Sequence, residues 1–581
     1  MSVKLSAKPR LRQTGEVISA AYKKLRAEES GKFAIVVSGM LFLAAVAYLS
    51  LAYNWPKFSR AEVFFAECVR EMFQADNLVT PLYHGTPFFD KPILAYWFIA
   101  ASYKLAGISH FAARIPSVLT ALLTVLLTAV AGRNFFGPRA GTLAAAVLGS
   151  SLMFISFSNL CMSDMNLVFF DSLSLTLLYA ALQNEKRRSI LFYTGALSMG
   201  LAFLTKGPVG IVLPAVAYAA YLSISKEWHK LKFGAHILPC ALILLGAGVP
   251  WFMAAYRQNG AGALSYFFIH ENLERFAGST YDTHRPIWFM LVSLFSGMLP
   301  WSIFLPFAAK DSLKAFKAGF ADEDARKHLY LWLWTAVVIG FFSVSRGKID
   351  YYALPVYPAV AILISNYLSR SCDSSGKFVA FAAYLSSTLL LFAGLASFFV
   401  LPGVFVGQSP ESWLALPLSL CLPALAMFYF CIQKQLRKCY KMLFISICMI
   451  ATAFAWQFYP WISSKQAVLK YIPYIRNLGP ESRIGVYTSL QNWIDEITFQ
   501  TNTEPMKIES PAMAEQFLKA KSPTLLLIQE SEYAQMSPAA RSRSRVLASN
   551  PFIPRSLNPV YLLSKGEKLG EKTKLLLLSN Q

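Results

Sequence analysis

About thirteen apolar runs, each of roughly 17–25 residues and so long enough to cross a hydrocarbon core, recur along the first four-fifths of the sequence. Inside a bilayer every backbone N–H and C=O must find a partner within the protein, which makes such runs helices. They cover residues 33–53, 112–132, 139–157, 164–183, 189–205, 208–225, 236–256, 287–307, 328–344, 352–369, 377–401, 412–432 and 443–460. Charged residues make up 15% of the 581 and hydrophobic residues 55%, against about 25% charge in a soluble chain. The expected fold is an α-helical polytopic membrane protein.

A further apolar run, 93–107, is decided by charge. If it does not cross, the basic loops 133–139, 186–188, 226–232, 310–327, 370–377 and 434–441 all fall on one side, while 402–411 on the other side has no basic residue. If it crosses, this positive-inside pattern inverts from that point on. The run, with Tyr96, Trp97 and Tyr103, therefore reads as a helix lying in the outer interface. The first outer loop is then long, 54–111, a second covers 257–286, the N-terminus is cytoplasmic and the C-terminus is outside.

The same pattern accounts for the net charge of +22 without a nucleic-acid partner. Residues 1–32 read as a basic cytoplasmic arm rather than a cleavable signal, either touching anionic headgroups through an amphipathic helix near 15–28 or fully solvated. The eight Cys contain no CxxC and six lie in or beside apolar runs, so they read as packing residues.

Composition changes after Trp461. The strand-like runs 483–487 and 524–528, with a helix-like stretch 512–521 between them, predict an extramembrane α/β domain over 462–581, following the 33–461 membrane domain. No glycine loop for a nucleotide cofactor and no internal repeat are present.

Candidate chemistry gathers at the outer face. Asp90-Lys91-Pro92 sets two opposite charges at the membrane surface, and Lys is a good point-charge partner for phosphate. Asp164 stands at the outer end of a span, where carboxylates are costly and default to function or pairing; Asp171, two turns deeper, reads as pairing. Lys206, Arg346 and Lys348 sit at outer loop tips, each alone a snorkelling cation, together able to cradle a phosphate. His270 in the second outer loop has a metal role only if a distant carboxylate such as Asp90 approaches it.

The series Glu62, Glu67, Arg70-Glu71-Met72, Phe88-Phe89-Asp90-Lys91-Pro92, Ala113-Arg114-Ile115-Pro116-Ser117, Thr205-Lys206-Gly207-Pro208 and Lys348-Ile349-Asp350-Tyr351-Tyr352 resembles the aminoarabinose transferases of lipid A, relatives of the protein O-mannosyltransferases. The resemblance implies a GT-C glycosyltransferase with a polyprenyl-phosphate donor (undecaprenyl phosphate in bacteria), no nucleotide cofactor, and a glycolipid or envelope-glycan acceptor at the periplasmic face of the inner membrane. Carried over by position, Lys91 contacts the donor phosphate and Lys206 and Lys348 line the phosphate region, to which the loop-tip reading adds Arg346; Asp90 and His270 are ligands of a divalent metal such as zinc, and Asp164 is an active-site acid. One departure stands out: Ala61 occupies the position of the family's usual loop Asp, leaving Glu62 or Asp164 as the catalytic carboxylate. A lipid-linked sugar flippase and a catalytically degenerate relative are the alternatives.

Overall fold

The computed structural model describes residues 8–55, 57–278, 285–374, 376–405, 408–464, 466–477, 482–551 and 574–580. Among them, ten helices are long and apolar enough to cross a membrane. Two bent pairs, Pro138–Gly149 with Leu152–Ser158 (66°) and Phe289–Gly297 with Trp301–Phe316 (112°), make twelve if each pair is one span. The remaining expected span is the shorter apolar helix Val209–Ser225. The first span is longer than its apolar run, because Lys8–Asn54 is a single helix that carries the basic arm into the membrane segment. The run 93–107 becomes the 13-residue helix Leu94–Ala106, about 20 Å long and short of a ~30 Å core.

Packing in the bundle relies on small residues and on polar groups satisfied locally. A Cβ at Gly141 would fall 2.5 Å from the Ala129 carbonyl oxygen, so Pro138–Gly149 and His110–Phe136 meet backbone to backbone. The Thr120, Thr124 and Thr128 hydroxyls donate to carbonyls four residues back, which leaves no unsatisfied hydroxyl along that face. Buried aromatics lock neighbouring helices: Trp301 donates to Ser150 at 2.9 Å, Trp334 to the Pro355 carbonyl at 3.0 Å and Tyr330 to the Leu175 carbonyl at 2.6 Å.

Outside the bundle, the first loop holds the helix Arg60–Gln74 and a small hairpin, β1 (Leu82–Tyr83) with β2 (Thr86–Pro87). The C-terminal domain is a five-stranded sheet of β3 (Arg483–Tyr487), β4 (Met506–Ile508), β5 (Thr524–Gln529), β6 (Arg545–Pro551) and β7 (Lys574–Ser579), in the order β4-β3-β5-β7-β6. β3 is parallel to β4 and β5, and β7 is antiparallel to β5 and β6. Apolar side chains fill separate clusters on the two faces, which is why β5 reads as a continuous apolar run.

Candidate functional site

The loop helix Arg60–Gln74 starts in a capping box: Ser59 Oγ accepts the Glu62 amide and Glu62 Oε2 accepts the Ser59 amide at 2.9 Å. Glu62 Oε1 also accepts Arg114 Nε at 2.8 Å and the Cys161 amide at 3.0 Å. The Arg114 guanidinium goes on to the carbonyls of Ala52, Trp55 and Lys57. Both side chains have 0% exposure. Glu62, one of the two expected catalytic acids, is thus a buried tie between four chain segments and does not line the cavity described next; its acceptor oxygens are already used.

The cavity has a volume of about 300 Å³ and lies where the loops 54–111 and 257–286 meet the spans. Its polar wall is Asp90, Lys91, Lys206, Glu271 and Arg275; Phe267, Phe268, Phe276, Phe341 and Phe342 form much of the rest. Lys91 Nζ lies 2.9 Å from Asp90 Oδ2 and 3.6 Å from Glu271 Oε2, and Arg275 Nη1 reaches the same Glu271 oxygen at 3.1 Å. Burial pushes the Glu271 carboxyl up to about 7, and its hydrogen bond to Asp90 adds to the shift. Asp90 moves the other way: burial opposes its charge, but the Lys91 ammonium and the Glu271 hydrogen bond outweigh it and hold Asp90 below the usual carboxylate range. Of the two carboxyls, Glu271 is therefore the one that holds a proton more readily.

Lys206 ends the helix Arg188–Lys206 and is paired with Asp164, the first residue of Asp164–Gln183. Its ammonium also faces the Tyr351 and Tyr352 rings, at 5.5 and 5.1 Å. Gly207 follows with φ 82° and ψ −149°, a conformation nearly restricted to glycine, and a Cβ there would lie 2.6 Å from the Phe267 ring. This close approach brings the Phe267 wall against the end of the Lys206 helix.

Other expected site residues fall elsewhere. His270 is half-exposed and binds Glu274 at 2.9 Å, so it is its neighbour Glu271 that meets Asp90. With Lys91 held against Asp90, and no group of three His, Cys, Asp or Glu side chains able to hold a metal among the described residues, the Asp90–His270 pair does not fit a metal site. The Arg346 side chain is exposed and Lys348 is buried; their turn gives the cavity Ser345 and Gly347 instead, tied down by the Arg346 amide on the Phe276 carbonyl at 3.1 Å. Sequence reasoning passed over Arg275 and Glu271. The spacing of four between them, which stacks two side chains on a helix face, was the available signal.

The fold and the cavity define a class, the polytopic α-helical membrane proteins with an extramembrane sheet domain. Within it the chain resembles the aminoarabinose transferases. Residues 90–253, from Asp90 through the Lys206 turn, match the family model described as dolichyl-phosphate-mannose-protein mannosyltransferase. The chain is 32% identical over 314 residues to an undecaprenyl phosphate-alpha-4-amino-4-deoxy-L-arabinose arabinosyl transferase of Pseudomonas aeruginosa, covering 53% of this chain and 55% of the relative. It therefore spans about half the length of the curated relatives it matches. An uncharacterized protein of Aquifex aeolicus is 29% identical over 368 residues, 63% of this chain and 69% of that one. The crystal structure of ArnT from Cupriavidus metallidurans bound to undecaprenyl phosphate shares the fold, with a TM-score of 0.70, 21% identity and coverage of 95% of this chain and 98% of that one.

Proposed function

We propose that this chain is a glycosyltransferase that moves a sugar from a polyprenyl-phosphate carrier to a lipid A-like glycolipid, at the periplasmic face of the bacterial inner membrane. The observation that carries the reading is the convergence of Lys91 and Arg275 on one carboxylate oxygen, in a cavity otherwise walled by phenylalanines. Two cations on one oxygen suit a phosphate, and the aromatic wall suits the lipid that bears it. The relatives with undecaprenyl phosphate in their names support the same carrier and a pentose as the sugar.

In the reaction the acceptor oxygen forms its bond to the anomeric carbon as the bond from that carbon to the carrier phosphate breaks, which inverts the centre. The electron pair leaves on the phosphate, where Lys91, Arg275 and Lys206 stabilise it. Glu62 is unavailable as a base, and Asp164 is the carboxylate that remains beside Lys206. An acceptor phosphate is already anionic and needs no base, so the phosphate of a glycolipid is favoured over a hydroxyl.

The test is transfer of radiolabel from polyprenyl-phosphate sugars to envelope lipids by membranes carrying wild type or Lys91→Ala. Lysine-dependent label in a glycolipid supports the reading. Label that stays on the carrier with folded wild-type protein removes it.

A further inference from the structure

We propose that the C-terminal sheet domain sets the position of Lys91 through the hydrogen bond between Tyr83 and Asp495, which makes these two positioning residues for the phosphate cradle. The inference rests on reading that cradle as a polyprenyl-phosphate site.

The Asp90-Lys91 segment leaves a hairpin whose strands are two residues each, too small to be stable alone. The hairpin is held from outside. Glu71 accepts the His84 and Gly85 amides at its tip, both at 2.9 Å. Phe64 contacts Tyr83 at 5.0 Å and stacks on Phe88 at 5.7 Å. The Tyr83 hydroxyl donates to Asp495 at 2.9 Å, and the Tyr83 ring touches Phe88 at 5.5 Å. Phe88 in turn donates its amide to the Pro81 carbonyl at 2.8 Å, two residues before Asp90. A contiguous path therefore runs from Asp495 through Tyr83 and Phe88 to Lys91.

The far end of this path is anchored by several contacts. Asp495 lies in the helix Ile494–Thr501, which grips the first loop at several other points. Its buried Glu496 accepts the Phe58 amide at 2.9 Å and pairs with His110 at 2.6 Å. Lys57 lies over Trp493 at 4.1 Å, and Asn502 accepts from Gln74 at 2.7 Å. His84 adds a second grip on the hairpin, 3.4 Å from Asp495 and 2.9 Å from Glu504. Lys91's own side-chain partners, Asp90 and Glu271, orient its ammonium but do not fix the backbone that presents it.

The test uses the full-length protein with Tyr83→Phe, Asp495→Ala, the double variant and Asp495→Asn, whose amide oxygen still accepts the tyrosine proton. Amide exchange over 81–91 is expected to quicken in Tyr83→Phe and Asp495→Ala, with exchange over 494–501 unchanged. The KM for the carrier lipid should rise by about 10- to 100-fold at most, the range for one hydrogen bond to a charged group, with kcat little altered. The double variant should be no worse than either single, and Asp495→Asn should restore most of the loss. Unchanged exchange over 81–91 in both single variants, or additive losses, would overturn the proposal. If Lys91→Ala transfers as well as wild type, the cradle reading has failed instead, and the exchange result still decides whether Asp495 holds the hairpin.

Discussion

Glu62 and Arg114 meet at 2.8 Å with neither side chain exposed, and between them they hold the end of the first membrane helix, the loop helix and the segment before Asp164 together. Removing one partner of such a pair strands the other charge in a dry interior, at about 3–5 kcal/mol. Arg114→Ala is therefore expected to lose most folded protein, seen as a lowered melting temperature in detergent. Glu62→Gln keeps the side chain's shape but turns one acceptor oxygen into a donor facing another donor and removes Arg114's counter-charge, so it should melt at a lower temperature than wild type, with the folded fraction keeping transfer activity. A well-folded Glu62→Gln without activity would return Glu62 to the catalytic set.

Glu271 occupies the cations assigned to the carrier phosphate and titrates near 7 because it is buried beside Asp90. As pH rises through this value the carboxylate gains charge and competes better with the phosphate, so carrier affinity should fall. Glu271→Gln should bind the carrier more tightly at pH 8 and flatten the profile, measured as KM for the carrier lipid between pH 5.5 and 8.5. The stability sign agrees. The folded state binds this proton more tightly than the unfolded chain, so the contribution is complete near pH 4 and is lost as pH rises through about 7. A KM that is constant with pH in wild type would refute the competition.

The apolar helices were legible because run length and apolar character are local properties: ten of the thirteen expected runs coincide with helices long enough to cross, two with bent pairs, and the run 208–225 only with the shorter helix Val209–Ser225. In the C-terminal domain the central strands β3 and β5 were legible for the same reason: strands covered on both faces are apolar throughout. The site was less so. Asp90 and Glu271 are separated by 181 positions, and nothing local says which residue of the His270-Glu271 pair turns inward, since neighbours on a helix point about 100° apart. The segment Tyr266–Glu274 is also wound as π-helix, which shifts every side-chain direction from the ordinary period. Glu62's pairing was not legible because a buried acid that ties a fold and one that does chemistry look alike until Arg114 is seen beside it.

Lys91→Ala and Arg275→Ala should each weaken carrier binding by about 10- to 100-fold, since a charge-assisted hydrogen bond contributes about 1.5–3 kcal/mol. Both act on one phosphate, so the double variant should lose less than the product of the singles. Lys91→Arg keeps the charge but not the compact ammonium beside Asp90, and should recover only part of the affinity. Equilibrium binding of a fluorescent polyprenyl phosphate to detergent-solubilised variants measures all four. Binding unchanged in Arg275→Ala would put the phosphate elsewhere in the cavity.

Gly207 supplies the last prediction. Its φ of 82° with ψ −149° is a conformation that any side chain opposes, at about 1–3 kcal/mol. A Cβ would also meet the Phe267 ring at 2.6 Å, inside contact distance, so either the ring or the turn must move. Phe267 is cavity wall and the turn carries Lys206, so both adjustments reach the site. Gly207→Ala should lower the melting temperature and raise the KM for the carrier. Adding Phe267→Leu should relieve the collision but not the backbone strain, and so recover only part of both effects. Full recovery in that double variant would show that the turn tolerates a side chain and that ring contact alone requires glycine.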